Sequence, residues 1–329
     1  MHSALRSALS LALLAGFGAL SPAEEPEGLL PGSPVVATLM RLPSRTLGGD
    51  QFWADEFIRS GWRIQRNAFS GHYRLLDTDN YRRALGTYDA CRAKFDEFVE
   101  AEPITPKSKQ AVVMLHGLLR SRDCMIPLAD YLAEKGSYEI VNMSYPSTQA
   151  DVHAHAAALD KVINNLEGIE EINFVAHSLG NLVIRDWLHE HYKPDDAKYK
   201  LGRFVMLGPP NNGAQFARNF KQNRLYSIVT GPAGKQLGEG WEELAKVLQT
   251  PCCEFGILAG TAAIPNPLVD GSDDGIVSVS ETKLPGAADF RVLAGHHGHI
   301  RSSEAVGEMT LCFLQHGYFT SADERTPLR

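Results

Sequence analysis

The pattern of hydrophobic and polar residues predicts alternating strands and helices from about residue 110 onward. Short apolar runs rich in β-branched residues predict strands, and segments with apolar residues every three or four positions predict helices. The predicted strands cover residues 111–117, 139–146, 171–178, 201–210, 254–260 and 289–295. The predicted helices cover residues 123–135, 149–166, 179–192 and 302–315. Strands that alternate with helices indicate a mostly parallel central sheet flanked by helices.

The chain upstream of this region is organised differently. Residues 62–66 and 73–76 alternate in polarity around Ser70-Gly71 and predict a β-hairpin. Residues 87–100 place aromatic side chains on one face of a predicted helix, and residues 24–40 are rich in Pro, Gly and Glu, as in a flexible leader. We therefore expect an N-terminal leader and extension over 24–106.

The N-terminus has the pattern of a secretory signal peptide. His2 and Arg6 precede an apolar segment over residues 8–20, which ends at the small residues of Ser21-Pro22-Ala23. The segment is shorter than the roughly 20 residues that span a bilayer. We expect a signal peptide over 1–23 and a secreted or periplasmic protein, with an uncleaved membrane anchor as the alternative.

Composition and charge exclude several classes of protein. The chain has 329 residues, of which 22% are charged and 44% hydrophobic, so it is not collagen-like, low in complexity or wholly disordered. The net charge of −7 and the absence of a basic block argue against a nucleic-acid partner. The five cysteines are odd in number and form no C-x-x-C pair, so a zinc ribbon or thioredoxin site is not expected.

The segment Ala176-His177-Ser178-Leu179-Gly180 lies where a predicted strand meets a predicted helix. A serine in such a turn needs small residues two positions before and after it, because the backbone is crowded there. Ala176 and Gly180 meet that need, so Ser178 is the candidate nucleophile. The alternative is a serine that caps an ordinary helix.

A serine nucleophile requires a base and an orienting acid, and both candidates lie downstream in the chain. Asp274 is our candidate acid, with Asp270 and Asp273 as alternatives. His296 is our candidate base because it is the first residue to leave the last predicted strand after Gly295. His297 and His299 are the alternatives, and the three histidines together could instead bind a metal, although we expect neither a metal nor a cofactor.

Two backbone N–H groups are predicted to stabilise an oxyanion. One belongs to Leu179, which follows the candidate nucleophile, and the other to Leu118, in the loop after the first parallel strand. Gly117 permits the sharp turn of that loop, and His116 is expected to brace it.

Taken together, these motifs resemble those of the α/β-hydrolase superfamily. Within it, they are more similar to the bacterial secreted lipases and esterases, and to the lipase-like hydrolases related to the inositol deacylases of glycolipid anchors. The resemblance rests on the His-Gly loop, the Ala-His-Ser-Leu-Gly turn, the Gly-Pro-Pro-Asn-Asn-Gly segment at 208–213 and Asp-Gly-Ile-Val ahead of a terminal histidine. It covers about residues 107–318. It implies an α/β-hydrolase domain over 107–329 with a small cap insertion at about 211–252, and a triad of Ser178, Asp274 and His296.

This resemblance implies a serine hydrolase that cleaves carboxylic esters through an acyl-enzyme. Six apolar residues of the cap favour an apolar acyl pocket, with packing of the cap itself as the alternative: Phe216, Phe220, Leu225, Tyr226, Ile228 and Val229. The expected substrate is a small-molecule or lipid ester, and transient contact with a membrane surface is expected. The alternatives are a thioesterase, acyltransferase or amidase on the same fold, or a hydrolase-fold binding protein without catalysis. The sequence gives no oligomeric state.

Overall fold

The computed structural model of the protein describes residues 44–45, 50–220 and 224–329. The predicted signal peptide, over 1–23, and the predicted leader, over 24–40, lie outside the described residues. No helix in the described ranges is long and apolar enough to cross a membrane. The five cysteines all carry free thiols.

The N-terminal extension forms an antiparallel sheet of five strands rather than a single hairpin. Its strands are β1 (Ser44–Arg45), β2 (Trp53–Arg59), β3 (Trp62–Asn67), β4 (Tyr73–Leu76) and β5 (Tyr81–Gly86), and helix α1 (Tyr88–Ala101) follows them. The strand order in space is β1-β5-β4-β3-β2. The predicted hairpin corresponds to β3 and β4 alone.

A small apolar core joins this sheet to α1. Phe57, Ile64 and Leu75 from three strands pack with Cys91 and Phe95 of the helix, and all five are fully buried. The extension therefore has an apolar core of its own, in which the helix covers one face of the sheet and stabilises it.

The main domain is built on six parallel strands. They are β6 (Gln110–Leu115), β7 (Glu139–Met143), β8 (Glu171–His177), β9 (Lys200–Leu207), β10 (Phe255–Thr261) and β11 (Asp289–Ala294). Their order across the sheet is β11-β10-β9-β8-β6-β7. The inner strands β6, β8 and β10 are buried almost along their whole length, as their near-continuous apolar sequences predict, whereas the edge strand β11 is partly exposed.

Helices enclose this sheet and complete two apolar layers. They are α2 (Ile126–Gly136), α3 (Val152–Asn164), α4 (Leu179–Glu190) and, near the C-terminus, α8 (Val279–Thr282) and α9 (Glu304–His316). Leu159 and Trp187, of α3 and α4, lie in one apolar cluster, and Leu132 and Phe313, of α2 and α9, lie in the other. This arrangement confirms the predicted fold class, a mostly parallel sheet flanked by helices.

Three helices lie between β9 and β10, where the cap insertion was expected. They are α5 (Gln215–Asn219), α6 (Arg224–Leu237) and α7 (Trp241–Val247). Helix α6 is broken at Gly231, which has φ 67° and precedes Pro232. A Cβ at Gly231 would lie 1.8 Å from the carbonyl oxygen of Thr148, so only glycine lets the cap pack this closely against the main domain.

Candidate active site

Ser178 occupies a strained turn between β8 and α4. Its φ of 52° and ψ of −122° lie outside the regions that non-glycine residues favour, and its N–H donates to the carbonyl of Leu207 at 3.0 Å. A Cβ at Gly180 would approach both the Cβ and the carbonyl oxygen of Leu115 to 2.8 Å. The close approach of β6 therefore explains the small residue that the motif requires two positions after the serine.

Two further side chains continue from Ser178 in a line of hydrogen bonds. His297 Nε2 lies 2.8 Å from Ser178 Oγ, and His297 Nδ1 lies 2.7 Å from Asp274 Oδ2. Asp274 is 1% exposed, and its other carboxylate oxygen accepts the N–H groups of Ile276 at 3.1 Å and Val277 at 2.8 Å. With Nδ1–H donated to the carboxylate, Nε2 is left as a hydrogen-bond acceptor towards the serine hydroxyl.

The structure does not bring His296 to Ser178, so the choice of His296 over its neighbour is corrected to His297. The chain leaves β11 after Ala294, and the N–H of His297 donates to the carbonyl of Asp274 at 2.8 Å. This backbone bond fixes residue 297 beside the aspartate, with its ring between Asp274 and Ser178. His296 is exposed on the other side, near Gly275, and His299 is exposed as well.

The two alternative acids have other partners. Asp270 accepts a hydrogen bond from Gln215 Nε2 at 2.9 Å. Asp273 is buried and accepts the N–H groups of Asn266 at 3.1 Å and Gly275 at 2.7 Å, which holds the loop in shape. Of the three candidate aspartates, only Asp274 contacts His297 in the described residues.

The predicted oxyanion loop lies directly over Ser178. A Cβ at Gly117 would come within 3.0 Å of both His177 Nδ1 and Ser178 Cβ, so the close approach requires glycine. Leu118 follows and lines the cavity that contains Ser178. Leu179 is the first residue of α4, where backbone N–H groups have no acceptor within the helix. The amides of Leu118 and Leu179 thus belong to the two segments that border the serine.

Residues behind this loop hold it in place. The His116 ring stacks on the buried ring of Tyr145, with centroids 4.2 Å apart, and its Nδ1 lies 2.9 Å from the Gly117 carbonyl oxygen. The N–H of Leu119 donates to Ser147 Oγ at 3.1 Å. His116 thus contacts the loop that we expect it to brace.

Gln51, in a short helix before β2, contacts the oxyanion loop, and the sequence did not indicate this contact. Its Nε2 donates to the carbonyl of Arg120 at 2.5 Å, and its Oε1 accepts from Ser147 Oγ at 3.3 Å. The N-terminal extension therefore reaches the oxyanion loop. No local sequence signal marks Gln51, because its partners lie 69 and 96 residues away.

His177, beside the candidate nucleophile, is fully enclosed. Its Nε2 donates to the carbonyl of His297 at 2.8 Å, while its Nδ1 is buried without a hydrogen-bond partner. Burial holds the pKa of His177 well below its ordinary value, and the adjacent His297 and Arg301 lower it further. The ring is therefore neutral, with its proton on Nε2, and it anchors the backbone of the histidine loop.

A cavity of about 380 Å³ opens above Ser178. Phe216 and Tyr226 from the cap line it together with Leu118 and Ile276. The other four predicted pocket residues are not among those that line it. The ring of Phe220 packs against Phe216 and Tyr226, with centroids 5.0 and 5.8 Å apart, and Leu225, Ile228 and Val229 are exposed. In the described residues, no group of three His, Cys, Asp or Glu side chains could hold a metal ion.

Comparison with solved structures identifies similar folds at low sequence identity. A lipase of Bacillus licheniformis, BlEst2 in its propeptide form, matches with a TM-score of 0.52 and 19% identity over 68% of this chain and 54% of that one. Phospholipase PlaB of Legionella pneumophila matches with a TM-score of 0.50 and 21% identity over 63% of this chain and 60% of that one.

The chain thus spans little more than half the length of these two structures. No protein-family model matches the chain, and no curated protein matches its sequence. Two lines of evidence nevertheless agree on the architecture: the parallel six-stranded sheet with its cap, and the similarity to these two folds. The chain has the α/β-hydrolase fold.

Proposed function

We propose that the protein is a serine hydrolase of the lipase or esterase type, which cleaves carboxylic esters through an acyl-enzyme. One observation carries this proposal: the continuous line of hydrogen bonds from Asp274 through His297 to Ser178, at the floor of a largely apolar cavity. Each contact has the length that proton transfer between nucleophile and base requires.

In this mechanism Ser178 Oγ attacks the ester carbonyl while His297 Nε2 accepts the hydroxyl proton. Asp274 stabilises the resulting imidazolium and holds its tautomer. The amides of Leu118 and Leu179 donate to the oxyanion of the tetrahedral intermediate. His297 then returns its proton to the departing alcohol, and a water molecule activated by the same histidine hydrolyses the acyl-enzyme.

The cavity and the cap suggest the kind of ester. Phe216 and Tyr226 offer an apolar surface to an acyl chain. Leu225 and Ile228 are each 68% exposed on α6, and an exposed apolar surface of this kind suits contact with aggregated lipid. An activity series from 4-carbon to 16-carbon p-nitrophenyl esters measures which acyl length the cavity accepts.

The experiment that tests the proposal compares wild type with Ser178→Ala. Wild type is expected to hydrolyse p-nitrophenyl esters and to react covalently with a fluorophosphonate probe, and Ser178→Ala is expected to do neither while keeping its circular dichroism spectrum. Labelling of Ser178→Ala at the wild-type rate would defeat the assignment. A wild type that is neither labelled nor active on any acyl length would favour a binding protein.

A further inference from the structure

Arg120 stands out among the residues around the candidate active site because of its charge. It lines the same cavity as Ser178 and His297. Among the described lining residues it is the one Lys or Arg, and none of them is Asp or Glu. A cation thus lines a cavity whose other side chains are mostly apolar, in a protein whose net charge is −7.

The guanidinium of Arg120 has no ion-pair partner in the described part of the chain, whereas Arg59 and Arg203, for example, each pair with a glutamate. Other arginines near the site are engaged: Arg122 donates to the carbonyl of Asn142, and Arg301 donates to the carbonyl of Cys124. Their side chains serve the fold, whereas the side chain of Arg120 retains its donors for another acceptor.

The backbone of Arg120 is fixed even though its side chain is exposed. Its N–H donates to the carbonyl of Gly117 at 3.3 Å, and its carbonyl accepts from Gln51 Nε2 at 2.5 Å. A guanidinium nitrogen lies 3.1 Å from the point that a Cβ on Gly298 would occupy, beside His297. The cation therefore lies between the oxyanion loop and the histidine loop, on a backbone that is fixed by hydrogen bonds.

Building on the proposed ester hydrolase, we propose that Arg120 binds an anionic group of the substrate, a phosphate or carboxylate carried by the ester. A guanidinium presents paired N–H donors that can bind two oxygens of a carboxylate or of a phosphate at once. Such a charged hydrogen bond is stronger beside an apolar surface than in open water. The substrate class is then an ester with an apolar acyl chain and one nearby negative charge.

The test uses the full-length protein and two pairs of substrates, each pair matched in acyl chain and differing in charge. Mono-p-nitrophenyl glutarate against p-nitrophenyl pentanoate places the anion on the acyl side. A 1-acylglycerol 3-phosphate against the 1-acylglycerol, both below their critical micelle concentrations, places it on the alcohol side. The measured quantity is the ratio of kcat/KM for the anionic ester to kcat/KM for the neutral one.

Arg120→Gln is expected to lower this ratio by about 10- to 30-fold in at least one pair, which also identifies the side that carries the anion. Arg120→Lys should retain part of the preference for the anionic ester, because lysine keeps the positive charge but lacks the paired N–H donors of the guanidinium. The control is Arg66→Gln, an exposed arginine of β3 outside the cavity, which should leave the ratio at the wild-type value. Added NaCl should lower the wild-type ratio more than the ratio of Arg120→Gln.

A ratio in Arg120→Gln equal to that of wild type in both pairs would overturn the inference while the ester hydrolase stands. A wild type that cleaves none of the four esters and resists the fluorophosphonate probe would overturn the proposed function, and the inference with it.

Discussion

Single residues at the site are fixed by backbone contacts as much as by their own side chains. The N–H of Ser178 donates to Leu207 in the neighbouring strand, and the N–H of His297 donates to Asp274. His177 adds a third constraint, because its buried Nε2–H donates to the carbonyl of His297. A reactive geometry that depends on tenths of an ångström is supported in this way by groups that never touch the substrate.

His177 is a positioning residue in this account, and His177→Phe should reveal it. The variant removes the donor and leaves the carbonyl of His297 without its partner, a loss of about 1–1.5 kcal/mol and hence about tenfold. We expect kcat for p-nitrophenyl esters to fall about tenfold while KM changes little. His299→Ala, an exposed neighbour, is the control. An unchanged kcat in His177→Phe would show that the histidine loop keeps its position without this bond.

The lack of a side chain at Gly180 matters for the stability of the fold. A methyl group there would press on the Cβ and carbonyl oxygen of Leu115, which are both part of β6 and cannot move freely. Gly180→Ala is therefore expected to lower the free energy of unfolding by about 1–3 kcal/mol in urea titrations. Gly295→Ala is the matched control, since a Cβ at Gly295 would meet nothing within 4 Å. Equal urea midpoints for the two variants would contradict the crowding.

The sequence could identify Ser178 and Asp274 as candidates but could not select the histidine. The small residues around Ser178 are a consequence of backbone crowding, so they leave a local signal. Which histidine faces the serine depends on where the chain turns after β11. A shift of one residue in that turn would bring a different side chain to the site. His296 and His297 differ by that one residue, and the long-range bond from His297 to Asp274 decides between them.

At the scale of elements, the N-terminal sheet is joined to the main domain beside the site. The N–H of Ser144, just after β7, donates to the buried carboxylate of Asp55 at 2.6 Å, and the N–H of Asp55 donates back to Ser144 at 2.9 Å. Gln51 then continues the contact to Arg120. The extension therefore supports the oxyanion loop from outside the parallel sheet.

This sheet was predicted only in part because polar residues occupy its interior. Asp55 and Glu56 are consecutive and both buried in β2, so the alternation that marks a half-buried strand is lost. Partners distant in sequence make their burial possible: Gln65 Nε2 donates to Asp55 at 2.8 Å, and the Tyr73 hydroxyl donates to Glu56 at 3.0 Å. The parallel strands, by contrast, contain apolar stretches that are buried along their length, such as residues 111–115 of β6, and these could be predicted from the local sequence.

Gln51→Ala tests the link between the two sheets. It removes the hydrogen bond to Arg120 and the acceptor for Ser147, so the oxyanion loop should be held less firmly. We expect kcat/KM for neutral esters to fall about 3- to 10-fold, with a decrease in urea stability of about 1 kcal/mol. Gln110→Ala, at the exposed start of β6, is the control. Activity of Gln51→Ala at the level of that control would show that the extension does not support the loop.

At the scale of the whole molecule, buried histidines make stability depend on acid. His155 is 2% exposed against the ring of Tyr145, and its Nε2 has no hydrogen-bond partner. Burial lowers the pKa of His155 to about 4, and the nearby His116 contributes to this shift, while Asp151 opposes it. In the unfolded chain His155 has an ordinary pKa near 6.5, so it binds a proton between pH 6.5 and about 4, where the folded chain keeps it neutral. The free energy of unfolding therefore decreases as the pH falls through this range.

His155→Leu should reduce this acid sensitivity. Between pH 7.5 and 4.5 the titration of His155 costs wild type about 2 to 3 kcal/mol of folding free energy, and the variant lacks that loss. Urea unfolding at the two pH values, compared between variant and wild type, isolates the contribution because the other titrating groups are common to both. The same pH dependence in both proteins would contradict the low pKa of His155.

The central claim is that His297, and not its neighbour, activates Ser178. The most direct measurement is the rate of labelling by a fluorophosphonate probe for wild type, His297→Ala and His296→Ala under identical conditions. We predict that His297→Ala slows labelling by at least about 10³-fold and that His296→Ala stays within about twofold of wild type. Rapid labelling of His297→Ala, or a comparable loss in His296→Ala, would contradict the account.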